Sequence, residues 1–355
     1  MEKKFNRAML ELARGNNGFS QTDLAKSAGV TQALVSKIEN GITVDPTDET
    51  VAAFAHALSV PVAFFYSDDP VLGLPQYHYR KRARLGKKAT LKIEAETNLR
   101  RMHIQRLFRS YETPNWSDFP SIDLDRMQWS PQQAAQNIRQ LWMLPRGPIE
   151  DLTSTIERAG AIVIQVDFET SLMDAISFRI PQLPPLIFMN STMPGDRYRF
   201  TLAHELAHMI LHNQPCTDED MEAQADQFAS EFMMPAKEIR PHLVSPSLGK
   251  LARVKAYWKV SIKALIYRSF KLNLITPNQY TGLNVNYSKA GYSRGEPFQI
   301  DVEKPSTFAN AIDYHLKNLR YSQQEISDLL LMLPSEFQRL YGLAGSVAPT
   351  LRVVK

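Results

Sequence analysis

The stretch RFTLAHELAHMILH, residues 199–212, sets His204, His208 and His212 four residues apart and places Glu205 beside the first of them. Residues four apart share one face of a helix, so His204 and His208 can point at one ion while Glu205 projects a turn-step aside. Neutral imidazole is a ready ligand for zinc, and a hydrolytic centre needs a third protein ligand plus an open position for water. A carboxylate beside such a centre has the chemistry of a general base. The pair of histidines around one glutamate also arises by chance, so its surroundings must carry weight. His212 drifts about 40° round the helix from His208, because four residues overshoot a turn of ~3.6. That drift reads as a structural histidine outside the ligand set.

The elements around the stretch must position it. TLAHELAHMIL is strongly helical and apolar-backed, and the segments AIVIQVDF, DAISFRI and PLIFMN just before it read as strands. Such strands could form a substrate-binding edge. DEDMEAQADQFASEFMMP follows as a helix over roughly 218–232, and its carboxylates Glu219, Asp220 and Glu222 are the available third donors. Glu219 and Asp220 fit a solvated acidic helix start more readily than a ligand.

RYRFTLAHELAHMILH followed by EAQADQFASEFMMP resembles the ImmA/IrrE family of bacterial metallopeptidases, over about residues 130 to 241 and including the lead-in GPIEDLTSTIERAGAIVIQV. The Glu-x-x-Ala-Asp arrangement at 222–226 is similar to the second signature of gluzincin-type metallopeptidases. The resemblance implies a Zn2+ cofactor held by His204, His208 and Glu222, with Glu205 as the catalytic base. It also implies that Asp226 hydrogen-bonds His204 and fixes its tautomer. Members cleave or otherwise inactivate helix-turn-helix repressors in stress responses or mobile-element transfer. The chain departs from the family at Gln224, where relatives often carry a second acidic residue, which removes an auxiliary ligand. A metzincin would instead place a third histidine six residues after the second, beyond a glycine. Tyr198 and Arg199 are candidate oxyanion stabilisers whose more ordinary role is structural.

The chain begins differently. Residues 3–66 read as short helices with turns between them: Phe5, Ala8, Met9 and Leu12 form an apolar stripe, Ser20 with Asp23 approximates a capping box, and Gly29 stops that helix. Thr31 is a good N-cap for the next helix and Thr47 opens a fourth, with VPVAFF closing the bundle. Two helices joined by a tight glycine turn are the geometry of a DNA reader. Gln32, Ala33, Ser36 and Lys37 then face outward, with Gln and Lys types that reach base edges and a serine that can reach a phosphate. SQTDLAKSAGVTQALVSKIENG resembles the lambda-repressor-like (XRE) helix-turn-helix family. The resemblance implies base contacts from Gln32, Ala33 and Lys37 and backbone contacts from Gln21 and Asn40. A helical bundle used for dimerisation or partner binding is the alternative.

Charge is unevenly spread. Residues 1–70 carry 6 Lys/Arg against 9 Asp/Glu, residues 71–112 carry 11 against 3, and the remainder carries 24 against 25. The basic block could supply phosphate contacts that the acidic reader lacks, or be a solvated face of a long polar helix from about 89 to 111. The single cysteine, Cys216, excludes an internal disulfide framework and fits a reducing cytoplasm, a lone thiol being more often a small apolar residue than a redox switch. No apolar run approaches a membrane span, and no signal peptide is expected at the N-terminus.

The expected fold class is α+β and mostly helical. Its parts are a five-helix reader over 1–70, a basic linker and long helix over 71–112, a zinc metallopeptidase domain with a small mixed sheet over 113–245, and a mainly helical region over 246–355. The expected function is a cytoplasmic DNA-binding zinc endopeptidase and transcriptional regulator. Its expected partners are double-stranded DNA and a repressor or other protein substrate, itself included, with a homodimer as a further candidate assembly and no membrane. The alternative is a regulator or antitoxin-like protein whose zinc domain senses or binds without cutting.

Overall fold

The computed structural model describes residues 4–42, 45–73, 85–111, 118–212 and 217–342. These form two compact units: one gathers the residues up to 73 with 85–111 and 308–342, and the other holds 118–307.

The first unit opens with α1 (Arg7–Asn16), α2 (Gln21–Ala28), α3 (Gln32–Glu39) and α4 (Asp48–Leu58), and a 3-10 turn over Val62–Tyr66 is the fifth element. Caps set where these helices start. The Ser20 hydroxyl accepts the Asp23 amide at 3.1 Å while the Asp23 carboxylate accepts the Ser20 amide at 2.8 Å, a complete capping box. Gly29 ends α2 at φ 68°, a left-handed turn that glycine enters without steric cost. Thr31 and Thr47 cap α3 and α4. Met9, Leu10, Leu24, Val35, Val51, Phe54 and Phe65 make the core between them.

Helix α5 (Lys87–Leu107) is less polar in its setting than its composition suggests. Ala95 and Met102 join the same core, and Ile93, Ile104 and Leu107 are buried. Three of its arginines turn inward. Arg101 gives its guanidinium to the Pro70 carbonyl and to Gln105, Arg106 pairs with Asp69 at 2.6 Å, and Arg100 pairs with Glu96 at 3.2 Å. A buried charge is tolerable only when paired in this way. These arginines therefore satisfy internal oxygens and are not free for a polyanion, whereas Lys87, Lys88 and Arg109 are exposed. Arg80, Lys81, Arg82 and Arg84, the densest part of the basic block, lie outside the described residues, as does Cys216.

The second unit runs α6 (Leu124–Met127), α7 (Pro131–Leu141), α8 (Leu152–Arg158), β1 (Ile162–Val166), β2 (Ala175–Phe178), β3 (Leu186–Asn190), α9 (Gly195–Leu211), α10 (Asp218–Met233), α11 (Ala236–Leu243), α12 (Leu248–Trp258), α13 (Ile262–Lys271) and α14 (Pro277–Lys289). The sheet is mixed, in the order β1-β3-β2. β1 runs parallel to β3 with Ile164 opposite Phe188, and β2 runs antiparallel to β3 with Ser177 opposite Ile187. Nearly every strand residue is buried, which explains the continuous apolar runs in place of alternation. Helix α9 packs on β2, β3 and α10 through Leu202, Ala203, Leu206, Ala207 and Ile210, all fully buried.

An irregular strap over 290–306 crosses the start of α9. A Cβ on Gly195 would lie 2.2 Å from the Ile300 carbonyl oxygen, so only glycine permits the approach. Glu303 of the strap accepts the amides of Leu152 and Thr153 at 3.0 and 2.7 Å, satisfying free donors at the α8 N-terminus. Thr276 and Gln279 form a capping box with Pro277 in the first turn and start α14, which runs through Lys289 before the strap begins.

The chain then returns to the first unit in α15 (Thr307–Lys317), α16 (Gln323–Leu330) and α17 (Pro334–Tyr341). Tyr341 meets His103 Nδ1 at 2.8 Å, Ser110 meets His315 Nε2 at 2.9 Å, and Arg106 donates to the Leu329 carbonyl at 3.1 Å. The stretch 246–355, read from sequence as one region, is thus divided between the units. No described helix is long and apolar enough to cross a membrane.

Candidate metal centre and helix-turn-helix face

Helix α9 delivers His204 and His208 to one face, and α10 packs against it with Glu222 in its second turn. Their donor atoms all lie within 4.8 Å of one another. His204 Nε2 and His208 Nε2 are 3.0 Å apart, and the Glu222 carboxylate stands 3.2 Å from His208 Nε2 and 3.6 Å from His204 Nε2. Two donors on one tetrahedral zinc, each about 2.1 Å from it, are separated by ~3.4 Å. The three separations bracket that value, so the residues fit a zinc ion without moving far. Both histidines are buried, and the Glu222 side chain is 36% exposed, which leaves the cluster open on the glutamate side.

Carboxylates dominate the electrostatics. Burial alone would push the His204 imidazolium down, yet hydrogen bonds to Asp226 and Glu222 and the charge of Glu205 lift its pKa to about 9. Burial would likewise push Glu222 up, but hydrogen bonds from His204 and His208 hold its carboxyl well below the usual range. Asp226 meets His204 Nδ1 at 2.9 Å, leaving Nε2 for the ion, in the arrangement the family resemblance implies. Glu205 is fully buried, and its Oε2 accepts the Ser177 hydroxyl at 2.7 Å from strand β2.

The other candidate residues lie outside the donor cluster. Glu219 and Asp220 are exposed at the start of α10, where Asp220 belongs to the Thr217 cap. Tyr198 and Arg199 are buried on the strap side: Arg199 donates to the Ile149 carbonyl at 2.6 Å and pairs with Glu303. Burial lowers the Arg199 pKa to about 10 and raises that of Tyr198 to about 12, and both residues act in packing. His212 stays out of the donor cluster but is not idle. Its Nδ1 meets His208 Nδ1 at 2.8 Å, and its Nε2 meets Gln224 Oε1 at 3.1 Å. Sequence spacing leaves His212 outside the ligand set as the more ordinary structural histidine, and it does not show that the ring folds back along the last turn of the helix.

In the first unit, Gln32, Ala33 and Lys37 are exposed on α3, and Asn40 is exposed at its C-cap. Ser36 is half-buried, and its backbone carbonyl accepts the Asn40 amide at 2.8 Å. Gln21 spends its side chain inside the protein: Nε2 donates to Glu39 at 2.8 Å and Oε1 accepts from Gln32 at 3.0 Å. Glu39 is in turn held by Arg14 at 2.6 and 3.0 Å. Arg14 and Glu39 carry no signal of this role in the sequence, yet through Gln21 they anchor Gln32.

Two family models match the chain. One, of a peptidase family described as the IrrE N-terminal-like domain, covers residues 156–270, and a helix-turn-helix model covers residues 10–65. The first ends beyond 245, in α13. A search of curated proteins finds no match to the chain. The two models agree with the resemblances read from the sequence and support a DNA-binding regulator that carries a peptidase-like domain.

Proposed function

We propose that the chain is a zinc endopeptidase directed by its helix-turn-helix to a DNA-bound repressor, or acting on its own chain. The observation that carries the reading is the convergence of His204, His208 and Glu222 on one point beside buried Glu205, in a chain that also holds a DNA reader. His204, His208 and Glu222 would hold the metal, with Asp226 fixing the His204 tautomer. Bound zinc supplies Lewis-acid polarisation of the scissile carbonyl and of a water. Glu205 takes the proton of that water and hands it to the departing amine nitrogen. Strand β2, an edge of its sheet among the described residues, is buried along its whole length and holds Glu205 through Ser177.

A second reading, in which the domain senses and does not cut, is favoured by one observation. Glu205 is fully buried and its Oε2 already accepts the Ser177 hydroxyl, as a carboxylate held within the packing would be. The two readings separate when wild type and Glu205→Gln are incubated with candidate repressors and alone, and products are weighed as intact masses. Cleavage by wild type, slowed by about 10²–10⁴-fold in the variant, supports the peptidase. Uncut protein with zinc bound supports the sensor.

A further inference from the structure

We infer that His212 and Gln224 form a neutral hydrogen-bonded chain that sets the tautomer and tilt of His208 for metal. The inference rests on the zinc-site reading above. His208 Nε2 faces the ion position, 3.0 Å from His204 Nε2 and 3.2 Å from Glu222, so as a ligand it must offer a lone pair there. The ring proton then sits on Nδ1. His212 Nδ1 lies 2.8 Å away, and two ring nitrogens that close share one hydrogen. His208 therefore donates and His212 accepts. An accepting Nδ1 puts the His212 proton on Nε2, and that nitrogen is 3.1 Å from Gln224 Oε1, an acceptor. Each donor in this chain meets an acceptor in one direction only.

The two ligand histidines are thus held by different means. Asp226, with its side chain 60% exposed, holds His204 through a carboxylate, whereas His208 is held through an uncharged histidine and amide. The local backbone explains how His212 reaches back. It is the C-cap of α9 at φ −105° and ψ 50°, with its amide still bonded to the His208 carbonyl at 3.1 Å. The ring is therefore carried over the last turn, while Gln224 approaches from α10. A neutral partner orients His208 without adding negative charge to a cluster that already includes Glu205, Glu222 and Asp226.

The test uses the full-length protein, with zinc affinity measured against a competing chelator and the visible spectrum of the cobalt-substituted form. His212→Leu is expected to weaken zinc by about 10–100-fold and to shift the cobalt bands, as removing an orienting partner does. His212→Gln, which restores an acceptor, recovers most of the affinity. Gln224→Leu, which leaves every group on α9 in place, gives a smaller loss in the same direction and decides the matter if His212→Leu does not fold. The melting temperatures of the zinc-stripped variants should match wild type, since a purely structural role would lower them without metal. Wild-type affinity and an unchanged cobalt spectrum in His212→Leu, or in Gln224→Leu where that variant decides, overturn the inference. Wild-type protein that takes up neither zinc nor cobalt overturns the zinc-site reading itself.

Discussion

Each unit buries a pair of histidines, and the two pairs have opposite surroundings. In the first unit, His103 is 5% exposed and meets the Tyr341 hydroxyl, with Arg100 and Arg106 as charged neighbours that outweigh the more weakly acting Asp69. Burial and those arginines push its pKa down to about 3. His315 is equally buried and is satisfied by the Ala311 carbonyl at 2.7 Å and the Ser110 hydroxyl at 2.9 Å. In the second unit, carboxylates surround His204 and lift it to about 9. Depth is nearly the same in both places, so depth does not decide what a histidine does. The sign of the neighbouring charge decides it. Arginine neighbours oppose a positive charge at His103, whereas carboxylate neighbours favour one at His204.

The strongest challenge to this contrast is removal of the anions. Glu222→Ala should abolish zinc retention through dialysis, a loss greater than the roughly 10–100-fold expected for Asp226→Asn, which removes only an orienting partner. Both are read by chelator competition, and equal affinities in the two variants would break the distinction between ligand and support.

The other half of the contrast predicts a pH dependence in the first unit. The folded pKa of His103 lies below its ordinary value of 6.5, so above pH 6.5 the stabilisation is fully present. As pH falls from 6.5 towards 3, the unfolded chain takes up a proton that the native state refuses. Stability then declines by at most about 1.4 kcal/mol per pH unit. Denaturant unfolding between pH 8 and pH 4 should show this decline, and His103→Gln should flatten it. A smaller effect concerns the reader: Gln32→Ala should cost about 1–3 kcal/mol at preferred sequences and relax base choice, measured by titration with labelled duplexes. Uniform weakening across sequences would instead assign Gln32 to backbone contact.

Much of this organisation was legible because local rules govern it. Ser20, Thr31, Thr47, Ser130 and Ser322 announce helix starts through their own side chains, and each begins a helix. His204, His208 and Glu222 were legible because helical spacing and a second motif fix their faces. What eluded the sequence is long-range. Arg101 and Arg106 of α5 look solvent-facing until Pro70 and Asp69 are found against them. Residues 308–342 look like a continuation of 246–307 until His103 and Ser110 pair with Tyr341 and His315. Neither partner lies within a helical turn of the other, so no periodicity records the contact.

The central question is whether the carboxylate-ringed pair holds a metal. Elemental analysis of purified full-length protein, with His204→Ala/His208→Ala prepared in parallel, tests this most directly. About one zinc per chain in wild type and none in the double variant is the predicted result. Zinc content that is absent from wild type, or unchanged by the double substitution, would contradict it.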